Sequence, residues 1–252
     1  MTETSPSKGR VVWRELMTRD VAGAKRFYGE LFNWTFEDFP MKSGPAYPMV
    51  KRGDKAIAGL VQMEPGMDMP CYWTSYVSVP DVAKVCHEAK TLGATVPFGP
   101  EHIPDVGTLA FVLDPEGAAI SLMKSDTSDP PVERPAVGEF CWETLSARDP
   151  ESAKRFYSRV LPWKLSQGAG MDTFGVGDGP ENQVADIQKA QGSVPPNWLT
   201  YVVVEKLEPS VARAEKLGGK TMLPPMAIPG VGRMAIVQDD QGAALGLFEP
   251  GM

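Results

Sequence analysis

Glu15 is the first residue in the chain whose type and setting point to chemistry. It lies in an apolar-rich run, Val11–Met17, that reads as a strand. Side chains alternate along a strand, so Glu15 shares a face with Trp13. A carboxylate desolvated beside an aromatic surface gains basicity and can act as a general base. The plainer reading is a salt bridge or a hydrogen bond to a Ser, Thr or Tyr hydroxyl. Two loops offer further candidates. His102-Ile103-Pro104-Asp105-Val106-Gly107-Thr108 sets His102 within reach of Asp105. Ala227-Ile228-Pro229-Gly230-Val231-Gly232-Arg233 ends on an arginine able to bind an anionic ligand group. A solvated histidine and a surface arginine are the plainer readings. Gly107 and Gly232 read as tight-turn positions. His87 falls on a helix and takes no role.

The remaining inventory excludes much. The 252 residues hold two histidines and three cysteines, Cys71, Cys86 and Cys141, with no close spacing. That is neither a disulfide framework nor a zinc site, and it suits a reducing cytosol. No Ser-His-Asp arrangement, Walker loop or dinucleotide fingerprint occurs. A net charge of −7 argues against nucleic-acid binding through a broad basic face. No run of ~18 apolar residues is present to span a membrane. The opening MTETSPSKGR lacks the apolar core of a secretory signal. A cytoplasmic location is therefore expected, with no nucleic-acid or membrane partner.

The elements that must position these residues follow from a repeat, sought before any local pattern. Residues 13–34 read WRELMTRDVAGAKRFYGELFNW and residues 142–163 read WETLSARDPESAKRFYSRVLPW. Residues 73–123 align without a gap on 198–248, sharing Trp73/Trp198, Tyr76/Tyr201 and Asp114-x-x-Gly117-Ala118-Ala119/Asp239-x-x-Gly242-Ala243-Ala244. The Pro-rich stretch KSDTSDPPVERPAV separates the halves. This predicts domains at 9–124 and 137–249 with a linker at 125–136. Within each half the pattern is β-α-β-β-β, twice. Asp20, Asp81 and Asp149 are predicted helix caps. Ala24, Phe27, Tyr28 and Leu31 form one helical apolar stripe.

Three motifs carry a family resemblance: RD-x-x-x-AKRFY-x-x-L-F-x-W, the V-x-D-V entry at Val79–Val82, and D-P-E-G-A-A-I-S-L at Asp114–Leu122. They resemble the vicinal-oxygen-chelate superfamily of glyoxalases, extradiol dioxygenases and bleomycin-resistance proteins, in particular its two-domain glyoxalase-like members. The resemblance implies an α+β fold of tandem glyoxalase-like domains. Each would be two βαβββ modules forming a cup-shaped mixed sheet with helices outside, and each cup would enclose one cleft.

The resemblance also marks three metal-ligand positions per half. They fall on Trp13, Thr74 and Ser121 in the first and on Trp142, Leu199 and Gly246 in the second. None offers the imidazole, carboxylate or thiolate that a divalent metal needs. No metal or cofactor is therefore expected. What the resemblance leaves in the clefts is aromatic and weakly polar: Trp13, Glu15, Tyr47, Met49, Trp73, Thr74 and Ser121, with His102 at one mouth; Trp142, Thr144, Phe174, Val176 and Trp198, with Arg233 at the other. Such clefts suit a flat aromatic ligand. The expected function is metal-free binding of a small molecule by a monomer. A lyase or isomerase using Glu15, and a dioxygenase-like enzyme with displaced metal ligands, are the alternatives.

Overall fold

A computed structural model describes residues 8–41, 45–67, 69–168, 170–192 and 194–251. Four β-α-β-β-β modules follow one another along the chain. The first is β1 (Val11–Thr18), α1 (Val21–Phe32), β2 (Thr35–Phe39), β3 (Tyr47–Arg52) and β4 (Lys55–Gln62). The second is β5 (Tyr72–Ser78), α2 (Val82–Thr91), β6 (Thr95–Ile103), β7 (Gly107–Leu113) and β8 (Ala119–Ser125). The third is β9 (Phe140–Ala147), α3 (Pro150–Val160), β10 (Lys164–Gly168), β11 (Met171–Gly175) and β12 (Gln183–Lys189). The fourth is β13 (Asn197–Val203), α4 (Leu207–Lys216), β14 (Lys220–Ile228), β15 (Gly232–Gln238) and β16 (Ala244–Pro250).

The strands form two eight-stranded mixed sheets of identical order, β2-β3-β4-β1-β5-β8-β7-β6 and β10-β11-β12-β9-β13-β16-β15-β14. The fold is thus α+β with two tandem mixed sheets, as the repeat and the resemblance implied. In each module the outer pairs are antiparallel. The strand before the helix pairs in parallel with the last strand, as β1 does with β4 and β5 with β8. A parallel pair needs a crossover, and the helix-containing connection supplies it.

The repeat divides the chain along its length; the packing divides it differently. One compact unit holds Ser75–Glu133 and Glu143–Trp198 with residues 8–13. The other holds Arg14–Thr74, Arg134–Trp142 and Leu199–Met252. Each unit therefore combines one module from each half. In the first unit α2 packs with α3, and Leu122, Leu145, Tyr157 and Phe174 are buried in one core. In the second, α1 packs with α4 around Leu16, Tyr28, Leu60, Leu207, Leu245 and Leu247.

Local chemistry sets the helix starts. The Asp81 carboxylate accepts from the Lys84 N–H at 2.9 Å and the Asp149 carboxylate from the Ser152 N–H at 3.1 Å. Asp20 occupies the same position before α1, but its side chain makes no cap hydrogen bond. The residue is tied down through its backbone instead: its N–H donates to Gln241 Oε1 at 2.7 Å. The capping role expected of the Asp20 side chain is corrected accordingly. The two loop glycines repeated between the halves also do something other than turn. An added Cβ at Gly107 would lie 2.2 Å from the Lys124 carbonyl oxygen, and at Gly232 2.4 Å from that of Glu249. These positions need a hydrogen for close approach of the neighbouring strand. The turns themselves put Asp105 and Gly230 in the left-handed region.

Candidate functional site

Strand alternation separates a core face from an open face in every module. On β1, Leu16 faces the core with no exposure, which turns Glu15 and Trp13 to the other side. The register sets Glu15 directly opposite Gly59 of β4, and Gly59 opposite Met49 of β3. Having no side chain, Gly59 leaves a notch. The Tyr47 ring lies across it; a Cβ there would sit 1.7 Å from Tyr47 Oη. Through that notch the Tyr47 hydroxyl donates to Glu15 Oε1 at 2.6 Å, a short, charge-assisted bond. Tyr72, at the start of β5, is close enough to feel the same carboxylate. Burial, and secondarily the Glu15 charge, push its phenol up to about 12. Tyr72 therefore stays protonated at neutral pH. The cluster presents one half-buried carboxylate acceptor and two phenol hydroxyls on an aromatic surface, and Thr74 is buried on the same face of β5 as Tyr72.

The other candidates divide. Trp13 and Trp142 are half-buried on the open faces of β1 and β9. Ser121 is buried on the open face of β8, opposite Tyr76. Trp73 and Trp198 do not line a cleft. Both are core residues, and their indole N–H groups donate to the hydroxyls of Tyr28 and Tyr157 at 3.0 and 2.9 Å. Phe174 is likewise core, with no exposure, and Val176 packs against that core. The register explains this correction. Thr173 pairs with Asp186, the position matching Gly59, so Phe174 corresponds to Val50 and not to Tyr47. An odd-numbered slip reverses the face.

The loop candidates are also redirected. His102 is exposed and pairs with Asp126 at 2.9 Å, not with Asp105. Arg233 donates to Glu208, and its charge also lies 3.5 Å from Glu249. Glu249 in turn accepts the Leu207 N–H at the start of α4 at 2.9 Å. Arg233 thus serves a carboxylate pair at a helix entry, which engages the charge expected to anchor a ligand.

Thr144 brings in a residue that the pattern reading missed. Its hydroxyl donates to Asp186 Oδ1 at 2.5 Å, and both residues are buried. The signal was available: Asp186 sits between Ala185 and Ile187 in a strand-like run, a carboxylate alternating with core residues.

The metal-ligand positions implied by the resemblance do not fit a metal. In the first half they hold an indole and two hydroxyls. In the second they hold Trp142, Leu199 and Gly246, and the space a side chain at Gly246 would need is filled by the Tyr201 ring, 2.1 Å from an added Cβ. Among the described residues no group of three or more His, Cys, Asp or Glu side chains could hold a metal ion. Among them, too, no helix is long and apolar enough to cross a membrane.

Comparison with known proteins agrees with this architecture. Residues 10–122 match the Glyoxalase/Bleomycin resistance protein/Dioxygenase superfamily. The chain is 30% identical over 251 residues to the protein named "Putative glyoxylase CFP32" of Mycobacterium tuberculosis, covering 96% of this chain and 95% of that one. It is 27% identical over 268 residues to the Streptomyces peucetius protein named "Anthracycline biosynthesis protein DnrV", covering 99% and 95%. Among solved structures, the 2,3-dioxygenase LapB from Pseudomonas sp. KL28 superposes with a TM-score of 0.63 at 12% identity, covering 98% of this chain and 94% of that one. The Mn(II)-bound glyoxalase from Novosphingobium aromaticivorans superposes with a TM-score of 0.64 at 12% identity, covering 96% and 82%. Repeat, sheet order and full-length relatives converge: the chain belongs to the glyoxalase/bleomycin resistance protein/dioxygenase superfamily.

Proposed function

We propose that this chain is a small-molecule-binding protein that works without a bound metal. In this reading it holds a planar hydroxylated aromatic compound against the face formed by Glu15, Tyr47 and Tyr72. The observation that carries it is the Tyr47 hydroxyl reaching Glu15 across Gly59 at 2.6 Å. That bond fixes a carboxylate acceptor on an aromatic wall, where a ligand hydroxyl can donate to it while the ligand ring stacks. Anthracyclines, named in the relatives from Streptomyces, are compounds of this chemical type.

A second reading uses the same carboxylate. Oriented by Tyr47 and set among aromatic rings, it can remove a proton from a bound substrate, as a lyase or isomerase requires. Ligand screening by thermal shift tests the first reading, because a ligand that binds only the folded state raises the melting temperature. Hydroxyanthraquinones should raise it, and Glu15→Gln should cancel the rise. Turnover lost in Glu15→Gln with binding retained supports the second reading. Stoichiometric Ni, Zn, Fe or Mn surviving dialysis would contradict the metal-free proposal.

A further inference from the structure

The first half carries a base and a phenol at two positions where the second half carries neither. Glu15 on β1 and Tyr72 on β5 turn to the same open face, and β5 neighbours β1 in the sheet. The repeat sets Thr144 at the position of Glu15 and Asn197 at that of Tyr72. The same strands therefore form without the pair, and the fold does not call for it.

Both groups are fixed by neighbours. Tyr47 reaches across the Gly59 notch and donates to Glu15 Oε1 at 2.6 Å. An ionised carboxylate has roughly four lone-pair sites, so this bond orients Glu15 and leaves it able to accept again. Beside Tyr72, Trp73 is buried and its indole N–H donates to the Tyr28 hydroxyl at 3.0 Å, which anchors the start of β5. Glu15, Tyr47 and Tyr72 each keep part of their surface exposed, so a flat ligand on the open face can reach them. Tyr72 holds its proton at neutral pH, because burial and then the Glu15 charge push its phenol up to about 12. A protonated tyrosine is a donor of the kind that stabilises a developing oxyanion.

We propose that Glu15 and Tyr72 together catalyse keto–enol proton transfer, without a metal, on a cyclic ketone fused to an aromatic ring. This rests on the general-base reading above, and names its substrate class and its second catalytic residue. The α C–H bond of the substrate breaks, and its proton passes to a carboxylate oxygen of Glu15. The electron pair left behind becomes the C=C bond of an enolate. The Tyr72 hydroxyl donates to the enolate oxygen as charge develops there. The Glu15 carboxyl then returns the proton to carbon and is a carboxylate again. Nothing is oxidised or reduced, and no co-reactant is consumed.

Deuterium exchange into 2-tetralone, followed by proton NMR in heavy water on the chelator-dialysed full chain, tests this. The expected result is saturable exchange, faster than in buffer alone. Glu15→Gln should return it to the buffer rate. Tyr72→Phe, which removes only a hydroxyl from a half-buried ring, should lower kcat about a hundredfold with KM little changed, a split that a merely structural role would not give. The flat enol analogue 2-naphthol should bind the natural chain, and bind Tyr72→Phe about tenfold more weakly. Exchange at the buffer rate while 2-naphthol binds would overturn the inference and leave the small-molecule-binding reading intact. Catalysed exchange that is unchanged in Tyr72→Phe, or that requires added Mn(II), would also overturn it. No binding of either compound would overturn both readings.

Discussion

The Tyr28 hydroxyl donates to the carboxylate of Asp239 at 2.9 Å, joining the first half of the chain to the second. Tyr157 and Asp114 make the reciprocal bond, also at 2.9 Å. Each tyrosine accepts from a tryptophan, and each aspartate also receives two backbone N–H groups of its own turn. The two strongest repeat motifs, AKRFY and D-x-x-G-A-A, are therefore partners of one another across the halves.

Tyr28→Phe should leave an indole N–H and a buried carboxylate without their shared hydroxyl. The expected loss is about 1–3 kcal/mol, and Tyr157→Phe should match it because the second bond is equivalent. For a chain of this size each kilocalorie lowers the melting temperature by roughly 2–4 °C. Calorimetry on the two variants checks both the size and the equality.

Asp239 sets a pH dependence. Burial, outweighing the backbone hydrogen bond from Ala243 and the Tyr28 bond, raises its carboxyl above the ordinary 3.8. The folded state then holds its proton more tightly than the unfolded one. Its stabilising contribution is complete below the unfolded value and is lost as pH climbs through the raised folded value. Asp239→Asn removes this titration along with one acceptor. Its stability deficit relative to the natural chain should therefore be largest in acid and shrink toward neutral pH. Urea midpoints measured across that range show the trend.

Gly59→Ala should displace the Tyr47 ring, since the new methyl carbon would overlap its hydroxyl. Tyr47 is half-buried and can swing outward, so stability should fall little. Binding of a hydroxyanthraquinone should weaken roughly tenfold with the loss of the Glu15 bond. Titration calorimetry beside a melting curve separates the two effects.

Tyr72 should ionise near 12, well after an ordinary tyrosine. Burial is the larger cause and would persist in Glu15→Gln, but the charge contribution would go. The phenol should then ionise at lower pH in that variant. Ultraviolet titration, differenced against Tyr72→Phe, measures it.

The sequence carried the repeat, the element order and the helix stripe Ala24, Phe27, Tyr28 and Leu31, all buried as expected. Periodicity and motif spacing suffice for these because they are local. It carried the open face of β1, and so Glu15, for the same reason. It misplaced Phe174 because loops of unequal length precede β11, and only the pairing with β12 fixes which way its residues face. It assigned Trp73 and Trp198 to a cleft because an indole suits either face of a sheet. The tyrosine each one meets comes from a distant helix. Asp186 was hidden because its meaning depends on lying opposite Thr144, a relation that only register supplies.

The most direct test of the central claim is calorimetric titration of chelator-dialysed protein with alizarin. Saturable binding that survives removal of metal and weakens at least tenfold in Glu15→Gln is the predicted result. Binding that vanishes on chelation and returns with added Mn(II), indifferent to Glu15, would contradict it.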